Sequence, residues 1–358
     1  MRKLFTPLSI KGATLKNRLV FAPTTTGCDS LPLIEKLIEG NVGLIILPDV
    51  SVIPSMLGMP SLDTLKWESY FKQVLSLAHA HQCLVSVQLF HPEYDIRLMA
   101  QLYSRRGEVS SEEIHRQMGD SMKVYADSLT TQEIEEIIEK FAIAARNASQ
   151  IGFDMIQVHG DRLAGSFSSS LFNHRTDAFG QRPKFSCDIL TRIRKEVPEM
   201  IIDYKAAVRT ENPPLGKGGI LIDELPQFIP QLEAAGADLF HVALANHSTL
   251  RDTIPAATHP LLKGEGCFLH LARAVKAVAT KPVCVVGKLQ HPDFIEQVMN
   301  EGFELAALSR QLIADPAWGR KAEENKTEEI LYCTYCNARC VSSIMTGKPI
   351  SCILHEKH

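Results

Sequence analysis

The chain has 358 residues, 45% of them hydrophobic and 22% charged, with a formal net charge of −3. That balance supplies ample apolar material for a core and leaves no electrostatic footprint for nucleic acid or an acidic membrane surface. The basic N-terminal stretch has no signal-peptide core, and no apolar run reaches the roughly 18 residues of a membrane span, so a soluble, cytoplasmic protein is expected.

Short apolar runs alternate with longer amphipathic ones along the chain. Arg18–Pro23 reads as a first strand, Leu31–Gly40 as a helix and Val42–Val50 as a second strand. Tyr70–Gln82 is a helix and Leu84–Phe90 a third strand. After an insertion over 92–130, Thr130/Thr131 caps a helix running to Gly152, with acids in its first turn. The pattern continues as strand Phe153–Gly160, helix Phe185–Val197, strand Met200–Val208 and helix Ile222–Ala237. It closes with strand Leu239–Ala245, helix Phe268–Thr280, strand Pro282–Leu289, helix Pro292–Gly302 and strand Leu305–Arg310. The strands are nearly continuous hydrophobics, as parallel strands buried on both faces should be. Eight such βα units predict an α/β fold, a closed (β/α)8 TIM barrel over 1–325 with a short cysteine-rich segment over 326–358. A doubly wound open sheet is the alternative, since counting elements does not close a barrel.

In a barrel the chemistry stands at the C-terminal strand ends. Those ends carry Pro23, Thr24 and Thr25 after strand one, Gln88 on strand three and His159 on strand four. Lys205 lies on strand five, and Asn246-His247 follows strand six. Gly287-Lys288 ends strand seven and Ser309-Arg310 strand eight. Loops after strands seven and eight are the usual barrel phosphate site, and a glycine with two cations suits that role. Amide, hydroxyl and imidazole groups at the other ends could hydrogen-bond a flat heteroaromatic ring, so the set suits FMN. Taken singly, Thr25 and Gln88 could equally be strand-end residues satisfied by backbone.

There are nine cysteines. Cys333, Cys336, Cys340 and Cys352 read C-x2-C-x3-C-x11-C. Thiolates suit an iron–sulfur cluster or zinc, but zinc ribbons usually show two C-x2-C pairs and this spacing lacks the second. Cys28, Cys83, Cys187, Cys267 and Cys284 lie mostly in or beside apolar segments and are expected to be inert. No GxGxxG fingerprint follows a strand, so no Rossmann domain is expected.

The stretches LFTPLSIKGATLKNRLVFAP, VGLII, VQLFH, LTTQEIEEIIEKFAIAARNASQIGFDMIQVHG, FNHRTDAFG, PVCVVG and ALSRQLIADP resemble, in order, the old yellow enzyme family. The likeness is to the branch near 2,4-dienoyl-CoA reductase and trimethylamine dehydrogenase. The resemblance implies FMN held by Pro23, Thr24, Thr25, Gln88, Lys205, Gly287, Lys288, Ser309 and Arg310, with the Thr25 hydroxyl at flavin O4 and Gln88 at the pyrimidine edge. It implies a 4Fe–4S cluster on the four tail cysteines, NAD(P)H as a candidate electron source and a small-molecule substrate. In the resembled enzymes a nucleotide-binding module follows. This chain is therefore expected either to be fed by an electron-donor protein or to be a fragment lacking that module, and a homo-oligomer is left open.

Several residues depart from the family pattern. Lys205 replaces an arginine, and Lys288 and Ser309 replace glycines. Arg162 stands where a second histidine or asparagine is usual after His159, and no tyrosine follows as proton donor. His91-Pro92-Glu93 replaces His-Ala-Gly, and the loop between Gly27 and Leu31 is short. His159 and Arg162 are thus expected to hold a carbonyl or carboxylate while His247 donates the proton. Alternatively His247 is a loop residue without a role, and Asp161 and Arg162 form a local ion pair. The leading expectation is reduction of an activated C=C bond such as an enoate, enone or dienoyl group. Oxidative amine N-demethylation, favoured by an aromatic cage from Phe90, Tyr94 and Phe167, is the second. A non-catalytic flavin and cluster electron carrier is the third, and a zinc-tailed barrel without flavin the fourth.

Overall fold

The computed structural model describes residues 2–356 apart from 27–29, 55–59, 106, 246–249 and 347. A hairpin of β1 (Leu8–Ile10) and β2 (Ala13–Leu15) opens the chain. The barrel strands are β3 (Leu19–Phe21), β4 (Leu44–Ser51), β5 (Leu84–Phe90) and β6 (Met155–His159). They continue as β7 (Ile201–Glu211), β10 (Leu239–Leu244), β11 (Val283–Val286) and β12 (Leu305–Leu308), with β8 (Pro214–Leu215) and β9 (Ile220–Leu221) as short additions to β7. Neighbouring barrel strands pair in parallel, β12 pairs β3 and β7 pairs β10, so the sheet closes on itself. The expected TIM barrel is what forms, and the open sheet is excluded.

Helices cover the outer face. They include α1 (Leu31–Glu39), α2 (Glu68–His79), α5 (Thr131–Ile151), α7 (Lys184–Glu196), α8 (Leu225–Ala235), α10 (Leu269–Lys276) and α11 (Pro292–Asn300). In α5 the Thr130 side chain caps the Glu133 N–H and Glu133 returns the bond, while Gly152 ends the helix at φ 107°. Its apolar stripe, Ile134, Ile137, Ile138 and Phe141, packs on the sheet.

The insertion over 92–130 is ordered rather than an open loop. It folds as α3 (Ile96–Ser104) and α4 (Ser111–Ser128), capped by Asp95 and Ser110. Met99, Leu102 and Ile114 form its own small apolar cluster. The hairpin, unread from sequence, sends Ile10 and Leu15 into the lower barrel interior. Among the described residues, no helix is long and apolar enough to cross a membrane.

Inside the barrel, side chains alternate along each strand, so every second residue points inward. The lower interior is apolar, with Val20, Leu44, Met155, Ile201, Leu239 and Leu305 packed together. One or two inward positions further up, β5, β6, β7 and β10 present Gln88, Gln157, Asp203 and His241, all buried. His159, Lys205 and His241 then stand in register on β6, β7 and β10. The barrel interior therefore grades from apolar to ionisable toward the C-terminal mouth.

Candidate active site

A cleft opens at that mouth, with about 1430 Å³ of empty space counting the solvent at its entrance. The strand-end residues expected from sequence border it together: Pro23, Thr24 and Thr25 after β3, Gln88 on β5, and His159 and Arg162 at the end of β6. Lys205, Gly287, Lys288, Ser309 and Arg310 complete the set. His247 lies outside the described residues.

The Thr24 hydroxyl donates to the Ala22 carbonyl at 2.8 Å and pairs with the Ser309 hydroxyl at 2.7 Å, joining strand ends one and eight. Thr25 Oγ1 donates to Asp49 Oδ2 at 2.8 Å. Asp49 sits at φ 47° where β4 shifts register, so its carboxylate turns into the cleft. In this arrangement the Thr25 hydroxyl proton is directed at Asp49 and offers a ligand carbonyl nothing unless that bond is released.

Gln88 is the head of a buried chain. Its Nε2 donates to Gln157 Oε1 at 2.6 Å, and Gln157 Nε2 donates to Asp203 Oδ2 at 2.5 Å. The three residues are level with one another on adjacent strands. Asp203 Oδ2 accepts from the Gln157 amide in either protonation state, so it orients both amides and turns Gln88 Oε1 toward the Asp49 N–H, 3.3 Å away, and the cleft. Burial raises the Asp203 carboxyl to about 7, with Gln157 and Lys205 opposing the rise.

His159 Nδ1 accepts the Asp161 N–H at 3.3 Å, which places the ring proton on Nε2. Burial, with Lys205, Arg162 and His241 adding to it, holds its pKa well below the ordinary value, so the ring is neutral. Burial, followed by Lys205, likewise lowers His241 to about 3. Its buried Nδ1 has no hydrogen-bond partner among the described residues. Lys205 is lowered by burial and partly restored by Asp161 and Asp49.

Arg162 begins α6 (Arg162–Ser168) at φ 56°, a strained setting for a long side chain. Its Nη1 donates to Glu93 Oε1 at 3.3 Å, and Nη2 stands 3.6 Å from Asp49 Oδ1. Glu93 and Asp49 raise the guanidinium pKa, Glu93 more strongly. The main ion-pair partners are thus Glu93 and Asp49 rather than the neighbouring Asp161.

At the other end of the cleft, Gly287 takes φ 123°, and a Cβ there would meet Phe268 at 2.9 Å. Only glycine suits that close approach. Lys288 Nζ donates to the carbonyls of Ala256 and Leu262 at 2.8 and 2.7 Å. Arg310 Nη1 donates to Pro255 O at 2.9 Å and Asn337 Oδ1 at 2.7 Å. Both cations keep further N–H groups beyond these bonds. A wide cleft with orphan buried nitrogens, oriented amides and two cations at its β11–β12 end fits a flat heteroaromatic ligand carrying a phosphate.

The tail folds back over this end, where Ile350 N–H donates to Thr26 O at 3.1 Å. Cys333, Cys336, Cys340 and Cys352 border one small cavity. Arg310, Ile313 and Cys340 line both this cavity and the cleft. The Tyr335 N–H points at Cys333 Sγ, 3.4 Å away. Backbone hydrogen bonding from Ala338 lowers the Cys336 thiol, whereas burial pushes Cys333 up to about 11. Among the described residues, no group of three or more His, Cys, Asp or Glu side chains is gathered closely enough to hold a metal ion. Burial raises the Cys83 thiol to about 12 and Cys187 and Cys267 to about 11, as unreactive thiols require. Cys28 lies outside the described residues.

Sequence reasoning missed Asp49, Glu93 as the Arg162 partner, Gln157, Asp203 and His241. A polar residue at every second position of an otherwise apolar strand, as in MIQVH and IIDYK, was the available signal.

Comparison with known proteins agrees with this geometry. The model for the NADH:flavin oxidoreductase / NADH oxidase family matches residues 3–329. Bilirubin reductase of Clostridium symbiosum (strain WAL-14163) is 41% identical over 367 residues, covering 99% of this chain and 98% of that protein. Bilirubin reductase of Mediterraneibacter gnavus (strain CC55_001C) is 34% identical over 373 residues, and the chain spans only 57% of its length. Histamine dehydrogenase from Rhizobium sp. 4-9 shares the fold at a TM-score of 0.80 and 21% identity, over 98% of this chain and 52% of that one. The chain belongs to the NADH:flavin oxidoreductase / NADH oxidase family and is a flavin-dependent oxidoreductase.

Proposed function

We propose that the chain reduces an activated C=C bond in a conjugated, carboxylate-bearing substrate, with FMN in the cleft and a 4Fe–4S cluster on the four tail cysteines. Bilirubin, a conjugated tetrapyrrole with propionate carboxylates, is the substrate to try first, because both bilirubin reductases align over 99% of this chain. Bound FMN supplies hydride chemistry, and a cysteine-held cluster supplies single electrons that originate in NAD(P)H or a donor protein.

The observation that carries this reading is Arg162 beside His159. A guanidinium held on the cleft wall by Glu93 and Asp49 offers its remaining N–H groups to a carboxylate or lactam oxygen. His159 presents Nε2–H beside it as a neutral donor. Gln88, oriented by Asp203 through Gln157, and Lys205 would hold the polar edge of the flavin. Lys288, Arg310 and the bare Gly287 backbone would hold its phosphate. His247 remains the proposed proton donor. The four cysteines that border the tail cavity, with no histidine or carboxylate beside them, and the N–H aimed at Cys333 Sγ support iron–sulfur rather than mixed-ligand zinc.

The amine reading draws less support. Phe167 packs 4.2 Å from Phe185 in the core, and neither Phe90 nor Tyr94 lines the cleft, so the expected aromatic cage does not assemble. The test is anaerobic turnover of bilirubin, a simple enoate and a secondary amine by the flavin-loaded enzyme. Reduction of bilirubin is expected, and amine oxidation without C=C reduction would overturn the proposal.

A further inference from the structure

Tyr335 belongs to the cysteine loop yet lies in the wall of the cleft. Its backbone takes φ 51°, in the left-handed region that bulky residues rarely enter. Neighbouring bonds enforce that conformation. Its N–H points at Cys333 Sγ and its carbonyl accepts from Ala257 N at 3.0 Å. The turn aims the ring between two cations, with Arg310 Cζ 4.8 Å and Lys288 Nζ 5.6 Å from its centre. The hydroxyl oxygen is buried and has no hydrogen-bond partner among the described residues. A buried phenol normally finds a partner, so an orphan one in a cleft wall marks a place where a ligand supplies the acceptor.

The nature of that acceptor follows from the surroundings. Lys288 and Arg310 bring two positive charges to the ends of β11 and β12, where barrels bind phosphate. Each keeps N–H groups beyond those bonded to Ala256, Leu262, Pro255 and Asn337. A phenol at neutral pH donates, and a phosphate monoester accepts through three oxygens. The geometry points to Tyr335 as a ligand of the cofactor phosphate, which makes the cysteine loop one wall of the phosphate site. This rests on the flavin reading above.

The consequence is a physical link between two cofactor sites. The segment that carries Cys333 and Cys336 also completes the phosphate pocket, so the loop is held in place by the ligand it helps to bind.

The test compares FMN with riboflavin, which lacks the phosphate, by titrating each into deflavinated enzyme and following flavin fluorescence. Tyr335→Phe keeps the ring stacked on Arg310 and removes only the hydroxyl. The FMN-to-riboflavin affinity ratio is expected to fall about tenfold, with riboflavin affinity unchanged. Tyr335→Gly, which suits the left-handed backbone, is expected to lower the ratio at least as much and guards against a misplaced loop in the first variant. An unchanged ratio, or an equal loss for both flavins, would overturn the role of Tyr335. A parent enzyme that binds neither flavin would instead remove the flavin reading and this inference with it.

Discussion

Glu93 and Arg162 meet at the mouth of the barrel, Oε1 to Nη1 at 3.3 Å, although 69 residues separate them. Glu93 lies at the start of the insertion and its side chain is only 4% exposed, so the pair ties that insertion to the wall of the cleft. A buried carboxylate of this kind fixes the direction of the guanidinium and balances its charge.

Arg162→Lys keeps the charge and removes the planar fork. For a carboxylate substrate, kcat/KM is expected to fall roughly 10- to 100-fold, the range for a charge-assisted hydrogen bond. For a neutral enone the change is expected to be under about threefold, with bound flavin unchanged. Equal losses on both substrates would show that Arg162 does not read the carboxylate. Glu93→Gln is expected to follow the same pattern more weakly.

His247→Ala tests the proton donor. Steady-state reduction is expected to fall by about 100-fold while flavin content and hydride uptake from the reductant stay normal. Unchanged turnover in a fully loaded variant would remove His247 from the mechanism.

Asp203 gives a pH signature. Native burial keeps its carboxyl protonated up to about 7, while the unfolded chain releases that proton near 3.8. The native state therefore binds more protons between those values, and the Asp203 contribution to stability falls as pH rises through that window and stays low above it. Asp203→Asn removes the effect. Relative to the parent it is expected to gain stability on going from pH 4 to pH 8, on the order of 4 kcal/mol. Burial of neutral His91, His159 and His241 works in the opposite direction, lowering stability as pH drops below about 6.5. Those residues are common to both proteins, so the difference between them isolates Asp203. Urea unfolding at the two pH values measures it, and a pH-independent difference would contradict the assignment.

Cys336→Ser tests the tail. Iron and sulfide are expected to be lost from the purified protein while FMN stays bound, since Cys336 borders the cysteine cavity and not the cleft. Full iron retention would place the metal elsewhere.

The barrel was legible because eight strands buried on both faces must read as unbroken apolar runs, and Leu84–Phe90 was bounded correctly to the residue. The strand-end positions followed from the fold, which is why Gln88, Lys205 and Arg310 fell on one cleft. What sequence could not supply was partnership. Glu93 and Arg162 lie 69 residues apart and meet only in the folded barrel, and Asp49 turns inward where β4 slips register. Tyr335 was not singled out in the sequence, because its left-handed backbone and its contact with a loop some 80 residues away arise only in the fold.

The most direct test of the proposed activity is an anaerobic reaction of photoreduced, flavin-loaded enzyme with bilirubin, followed by absorbance. The oxidised flavin spectrum is expected to return as the bilirubin band is lost, with one flavin reoxidised per double bond reduced. Reduced flavin that persists beside intact bilirubin, in an enzyme that a simple enoate reoxidises at once, would contradict bilirubin as substrate. Persistence with every C=C acceptor would contradict C=C reduction altogether.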